Sequence, residues 1–154
     1  MKILFSALLS VVFCFVVSAM VGIAEVSKGS TVTEQINKAV SQVRAEKTVD
    51  ARTAAAEHLA NLARKLGTKE VTVKPVNDLT SLLDSPDDSV RYWIAVALGN
   101  LGPAAKAAAP KLEEMLPKAE CINGAITSAD GIRYALIKMG IKLPASRNCG
   151  RIAG

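Results

Sequence analysis

Side chains that could support acid–base or metal chemistry are few in this 154-residue chain. It contains one histidine, His58, whereas a protein zinc site needs three or four histidine, cysteine or carboxylate ligands close together. No serine stands in the Gly-x-Ser-x-Gly setting that exposes the nucleophile of a hydrolase. The sequence therefore predicts no catalytic residue, no metal site and no cofactor, and we expect His58 to be a surface or interhelix residue.

Acidic residues are concentrated at Asp84, Asp87 and Asp88, a density that could suggest calcium binding. The run lacks the spaced ligands and the terminal glutamate of a calcium loop. It also contains Pro86, and proline together with short polar side chains is typical of a turn. We therefore predict a turn here, with Asp88 or Ser89 capping the helix that follows.

The N-terminal segment is an almost uncharged apolar run from Ile3 to Ala24, preceded by Met1 and Lys2. Residues 1–24 are predicted to be a cleaved export signal, with a retained membrane anchor as the alternative. Residues 25–32 follow as a polar linker. Because exported chains favour disulfides, we predict that Cys121 and Cys149 are joined, with two free thiols as the alternative.

The charge distribution gives little support for nucleic-acid binding. The formal net charge is +5, but acidic and basic residues are interspersed, and the leader contains all three phenylalanines. Few aromatic side chains remain for stacking on bases. The C-terminal tail is basic and could bind anionic lipid or cell-wall polymer. Its cationic residues are Lys138, Lys142, Arg147 and Arg151.

Apolar residues recur at helical spacing through most of the remaining chain. The predicted helices span residues 33–46, 51–66, 75–83, 88–101 and 104–116, with a last one ending at Gly140. Asp50 is expected to cap the second helix, residues 68–74 to form an extended loop, and Pro117 to end the fifth helix. Pro110 either kinks that fifth helix or begins its regular part. The asparagines Asn61 and Asn100 are expected to bond local carbonyls.

The second and fourth helices repeat each other at a constant offset of 39 residues. The matching residues are Arg52, Ala56, Leu59, Asn61 and Leu62 with Arg91, Ala95, Leu98, Asn100 and Leu101. The last helix matches the fourth at an offset of 38 or of 42. Repetition at this period indicates a helical solenoid, and small Ala95 and Gly99 should let a neighbouring helix approach closely.

The sequence of residues 79–102 resembles HEAT repeats of the short bacterial type. It has an apolar helix, an acidic proline turn, Val90-Arg91 opening the next helix, and then an Ala-x-x-Leu-Gly-x-Leu-Gly segment ending at Gly102. The resemblance implies an all-α fold, a short α-solenoid of about three helix pairs over residues 33–143, with an irregular tail over residues 144–154. It also implies that Asp88, Arg91 and Arg52 have structural roles.

In this family the second helices line the concave surface, so Tyr92 and Tyr134 are the predicted partner contacts, with core packing as the alternative. Arg52 and Arg91 complete the predicted contact set, and Trp93 is expected to fill a gap between units. The resemblance implies an exported, non-enzymatic scaffold that binds a protein partner. The alternatives are an envelope-attached factor held by the leader or the basic tail, and a ligand-binding protein related to the phycobilin lyases.

Overall fold

The computed structural model describes residues 31–67 and 73–145. The predicted leader, most of the predicted loop at 68–74 and Cys149 lie outside these residues. Within them the chain is entirely helical apart from its connections, as predicted. None of the described helices is both long and apolar enough to cross a membrane.

The described residues form six α-helices and one 3₁₀ segment. They are α1 (Val32–Ala45), α2 (Val49–Leu66), α3 (Val73–Leu82), α4 (Asp88–Leu101), the 3₁₀ segment (Gly102–Ala108), α5 (Ala109–Ala119) and α6 (Ser128–Lys138). The predicted helices agree with these in number and order, and their ends differ by a few residues.

Helix starts are set by local side-chain bonds. In α1, the Thr31 hydroxyl accepts from the Glu34 amide at 3.2 Å and the Glu34 carboxylate accepts from the Thr31 amide at 2.8 Å, which is a capping box. The N-cap of α2 is Thr48 rather than the predicted Asp50, since the Thr48 hydroxyl accepts from the Ala51 amide.

The N-cap of α4 is Asp87, one residue before the predicted candidates, and its carboxylate makes no capping bond within the helix. That carboxylate is instead bonded to a neighbouring unit, as described below. Lys74 lies inside α3 instead of the predicted loop, and its ammonium pairs with Asp78 one turn later at 2.9 Å.

The two prolines of α5 act differently from each other. Pro110 begins the regular helix after the 3₁₀ segment, where its missing N–H costs no intrahelical bond. Pro117 was expected to end the helix, but α5 continues to Ala119 with Pro117 inside it. So close to the helix end, proline removes a single intrahelical bond, and the last turn is kept.

The helices form three antiparallel pairs, α1 with α2, α3 with α4, and α5 with α6, arranged in two layers. The second helices of the pairs, α2, α4 and α6, lie side by side, and α4 has its most extensive contacts with α2 and α6. The first helices form the other layer. The core between the layers is built from alanine, valine, leucine and isoleucine. The chain is therefore a short α-solenoid, as predicted.

The register of the last unit is an offset of 38 from α4. At this offset the buried residues Ile94, Leu98 and Leu101 correspond to buried Ile132, Leu136 and Met139. Both helices also end near a glycine with positive φ, Gly102 and Gly140, again 38 residues apart. An offset of 42 would instead match buried Leu98 with exposed Gly140.

Candidate functional site

The candidate site is the layer of second helices, in which the predicted contact residues lie. Arg52, on α2, places its guanidinium between two units of the solenoid. Its Nε and Nη2 donate to Asp87 Oδ2 at 3.0 and 2.7 Å. Its Nη1 donates to the carbonyl oxygens of Glu46 and Lys47 at 3.3 and 2.9 Å. One side chain therefore fixes the α1–α2 connection to the start of α4.

Arg91 repeats this arrangement one unit later. Its Nη1 donates to the carbonyl oxygens of Ser85 and Pro86, at 2.7 and 2.8 Å, which are six and five residues before it, as for Arg52. Its Nη2 donates to Asp88 in its own helix at 2.8 Å. The structural role implied by the resemblance is thus seen for both arginines, and their contact with a partner stays a prediction.

Asp88 connects α4 to α6. Its Oδ2 accepts from the Ser128 amide at 3.0 Å and its Oδ1 from the Ser128 hydroxyl at 2.5 Å. Burial raises the pKa of this carboxyl, but the bonds from Ser128 and Arg91 outweigh burial, so the net pKa is lowered. Asp88 therefore bonds the first residue of α6 and does not cap α4 as expected. Its carboxylate adds to the capping box that Thr127 and Asp130 form at the same helix start.

Each of the three carboxylates in the acidic cluster is paired with a basic side chain. Asp84 binds Lys111 at 2.8 Å, Asp87 binds Arg52, and Asp88 binds Arg91 and Ser128. No group of histidine, cysteine and carboxylate residues that could hold a metal ion occurs in the described part of the chain.

Helices α4 and α6 approach each other at two glycines. A methyl group placed on Gly99 would lie 2.7 Å from the Tyr134 ring and 2.9 Å from the Ala135 Cα. One placed on Gly131 would lie 2.6 Å from the Tyr92 carbonyl oxygen and 3.3 Å from the Ala95 Cβ. The predicted close approach at small residues of α4 is confirmed, and each predicted contact tyrosine lies against the glycine of the opposite helix.

Asn100 joins all three second helices. Its Nδ2 donates to the Ala60 carbonyl oxygen of α2 at 2.8 Å, and its Oδ1 accepts from the Tyr134 hydroxyl of α6 at 2.7 Å. The expectation of a local carbonyl bond was wrong for Asn100, because its partners lie 40 and 34 residues away in the sequence. In the sequence, the only indication of this role was that asparagine recurs at the corresponding positions 61 and 100, and this recurrence did not indicate which residues Asn100 would contact.

The side of the second helices that faces away from the first layer is partly apolar. Tyr92 and Val96 lie two residues from buried Ile94, and so on the opposite side of α4. The rings of Tyr92 and Trp93 meet edge to face with centroids 5.0 Å apart. We call this side the second-helix surface. Its residues are Glu57, Asn61, Tyr92, Val96, Tyr134 and Lys138.

The second-helix surface is only partly exposed at its aromatic residues. Tyr92, Trp93 and Tyr134 are each half-buried, and Trp93 packs against the core, as expected. The Lys138 ammonium lies 5.6 Å from the centre of the Tyr134 ring, a cation–π contact. The rings of Tyr92 and Tyr134 lie half-buried at the α4–α6 junction, and their contact with a partner stays a prediction.

The remaining candidates lie apart from this surface or outside the described residues. His58 is exposed, as expected, beside a polar groove lined by Gln35 and Lys38. Cys121 is exposed in the α5–α6 connection. Its predicted partner Cys149 lies beyond the described residues, so their pairing stays a prediction.

A family model for HEAT repeats matches residues 36–128, which is more than half of the chain and extends from within α1 to the first residue of α6. No curated protein and no solved structure matches the chain. The matched residues contain both arginines at the junctions, the acidic turn and the paired helices described above. The chain therefore belongs to the HEAT-repeat family.

Proposed function

We propose that the protein is an exported, non-enzymatic scaffold that binds a protein partner on its second-helix surface. The observation that supports this best is the continuity of that surface. Three parallel helices present one row of corresponding positions, Glu57, Val96 and Tyr134, at offsets of 39 and 38 residues. An extended surface of this kind suits a macromolecule better than a small substrate.

The composition of the surface favours a protein partner. Half-buried Tyr92 and Tyr134 flank Val96, and tyrosine is enriched where protein interfaces gain most of their affinity. The bonds of Asn100 to α2 and α6 hold the three helices in a fixed relation. A surface that is ordered before binding loses little conformational entropy when the partner docks.

Export and the disulfide complete the proposal. The apolar run at residues 3–24 supports passage through a membrane, and an oxidising compartment would let Cys121 and Cys149 join. On the chain-entropy model a loop of this length stabilises the fold by roughly 3–4 kcal/mol. Intact mass with and without reductant would report this bond, and peptide mapping would report the mature N-terminus.

The binding proposal is tested by affinity capture of the tagged protein from the envelope fraction of its host, followed by mass spectrometry. Alanine variants of Tyr92 and Tyr134 would mix binding with folding, because both rings lie against the glycines of the α4–α6 junction. Glu57→Lys is a sharper variant, since this exposed side chain makes no ion pair among the described residues. Glu113→Lys makes the same charge change at an exposed position of α5, in the other layer.

We expect one protein to be recovered with the wild type and with Glu113→Lys, and to be reduced at least about tenfold with Glu57→Lys. All three baits should unfold at similar temperatures. A partner lost equally with both variants, or retained equally by both, would exclude the second-helix surface. Recovery of no protein by any bait would exclude a stable protein partner.

A further inference from the structure

The edge of the solenoid at the turns within each helix pair has two corresponding clefts, one at each junction between units. The first, of about 480 Å³, lies between the first and second units. Its charged lining residues are Arg44, Arg52, Glu46 and Asp84, two of each sign. This cleft is electrostatically balanced, and Arg52 is further neutralised by Asp87.

The second cleft, of about 300 Å³, lies between the second and third units and differs in character. Its apolar lining includes buried Leu83, half-buried Met115 and Ile122, which is 37% exposed. Among the described residues that line it, the charged ones are Arg91 and Lys118, and none is a carboxylate. Arg52 pairs with Asp87, the N-cap residue of α4 in the next unit. The corresponding N-cap residue for Arg91 is Thr127 of α6, which has no charge.

Two carboxylates near the cleft are already paired with other groups, and a third, exposed Glu114, lies one turn before Lys118 on α5 without lining the cleft. Asp88 accepts from Ser128 and Arg91, and Glu120 pairs with Arg133. Lys118 is exposed and makes no ion pair within residues 31–67 and 73–145. The cleft therefore combines an exposed apolar side chain with positive charge that the described residues leave partly uncompensated.

We propose that this second cleft is a docking site for an acidic, apolar segment of a polypeptide. An apolar side chain of the segment lies against Met115 and Ile122, and a flanking carboxylate lies near the Lys118 ammonium. The site is separate from the second-helix surface and does not depend on the function proposed for that surface. A bond between Cys121 and Cys149 would hold the chain's own tail near Ile122, but the tail is a poorer occupant, because residues 146–154 contain two arginines and no acidic residue.

The test is an NMR titration of the full chain, expressed in its host and purified with ¹³C-labelled isoleucine and methionine methyl groups. The probe is a blocked five-residue peptide in which leucine and phenylalanine are flanked by glutamates. A second peptide with lysine at each glutamate position is the matched control. The methyl signals of Ile122 and Met115 report the cleft, and those of Ile137, which is also exposed, report non-specific contact.

We expect saturable shifts at Ile122 and Met115 with the glutamate peptide, at least about tenfold weaker binding of the lysine peptide, and weakening by added salt. Lys118→Glu should weaken binding about tenfold, while Lys65→Glu, the same change at an exposed position of α2, should leave it unchanged. Unfolding temperatures of both variants would establish that each is folded.

Three results would overturn the proposal. The first is the absence of shifts up to about 5 mM peptide. The second is equal binding of the two peptides, or equal effects of the two substitutions. The third is a response of the same methyl groups to laurate but not to the glutamate peptide, which would assign the cleft to a small amphiphile instead.

Discussion

The junction between α2 and α4 and the junction between α4 and α6 are stabilised by different sets of contacts. At the α2–α4 junction, charged side chains bridge the helix starts, with Arg52 on Asp87, and Ala60 occupies the position that corresponds to Gly99. At the α4–α6 junction, Gly99 and Gly131 allow the backbones to approach, and a tyrosine covers each of them. Both junctions have a charged side chain that bridges the helix starts, Arg52 with Asp87 at the first and Asp88 with Ser128 at the second. The second junction depends in addition on close backbone packing at its glycines.

This difference follows from which residues vary between otherwise equivalent units. Arg52 and Arg91 each donate to the carbonyl oxygens five and six residues before them, so the same turn is stabilised in both units. The acidic partner across the junction is present for Arg52 and absent for Arg91, and Asp88 with Ser128 replaces it. A repeat protein can thus keep its local structure while it changes how neighbouring units are joined.

The largest expected effect is steric and belongs to the α4–α6 junction. Gly131→Ala should lower the free energy of unfolding by about 2–3 kcal/mol, because the added methyl meets the Tyr92 carbonyl, which cannot move without displacing α4. Urea denaturation followed by circular dichroism measures this. Gly140→Ala is the control, since it has open space but a positive φ, and should cost about 1 kcal/mol. If Gly131→Ala and Gly140→Ala lowered the free energy of unfolding equally, the close approach of α4 and α6 at Gly131 would not be what stabilises this junction.

The next effect depends on charge and pH at the same junction. Asp88→Asn should cost about 2 kcal/mol at pH 7, because the bonds to Ser128 and Arg91 lose their charge assistance. The folded pKa of Asp88 is lowered, so its contribution is complete above the unfolded value near 4 and is lost as the pH falls through the folded pKa.

The difference in unfolding free energy between wild type and Asp88→Asn should therefore be constant from pH 7 to about pH 5 and shrink toward pH 2. Urea denaturation across this range measures it, with Asp50→Asn at an exposed position as the control. A difference that persists unchanged at pH 2 would show that the charge of Asp88 is not what stabilises the junction.

A smaller effect is expected at the α2–α4 junction. A double-mutant cycle with Arg52→Gln and Asp87→Asn should give a coupling energy of about 1 kcal/mol that falls with added salt. Two nitrogens of Arg52 donate to one oxygen of Asp87, and the two side chains are 26% and 16% exposed. The coupling energy of the more exposed pair, Lys111 with Asp84, should be smaller than that of Arg52 with Asp87. A larger coupling for the exposed pair would contradict the assignment of this junction to Arg52.

The smallest expected effect separates the hydroxyl of Tyr134 from its ring. Tyr134→Phe should cost about 0.5–1 kcal/mol, because Asn100 loses one bond while the packing on Gly99 remains. Tyr92→Phe is the matched change, and its hydroxyl makes no hydrogen bond within the described residues, so it should be nearly neutral. Thermal unfolding of both variants measures the contrast, and equal shifts would remove Asn100 from its role as a bridge between helices.

Most of the fold could be predicted from the sequence because helix formation and turn chemistry depend on neighbours in the chain. The buried faces of α4 and α6 follow from the spacing of Ile94, Leu98, Ile132 and Leu136. The errors were at helix ends, where one residue changes the cap, as with Thr48 in α2.

The candidate site was less predictable than the fold. The resemblance to HEAT repeats placed Tyr92 and Tyr134 in the layer of second helices and left core packing open, but it did not show that each ring would lie against a glycine of the opposite helix. The bond between Asn100 and Tyr134 depends on the rotation and spacing of α4 and α6, which no local pattern encodes.

The sequence by itself determined the helices, their order, the turn at residues 84–87 and the 39-residue repeat, because each follows from residues close together in the chain. The tertiary structure decided that Asp88 bonds the start of α6, that Asn100 joins three helices, and that one of two corresponding clefts has no carboxylate among its described lining residues. These features need side chains from different units to meet, and that meeting is set by how the stacked helices pack.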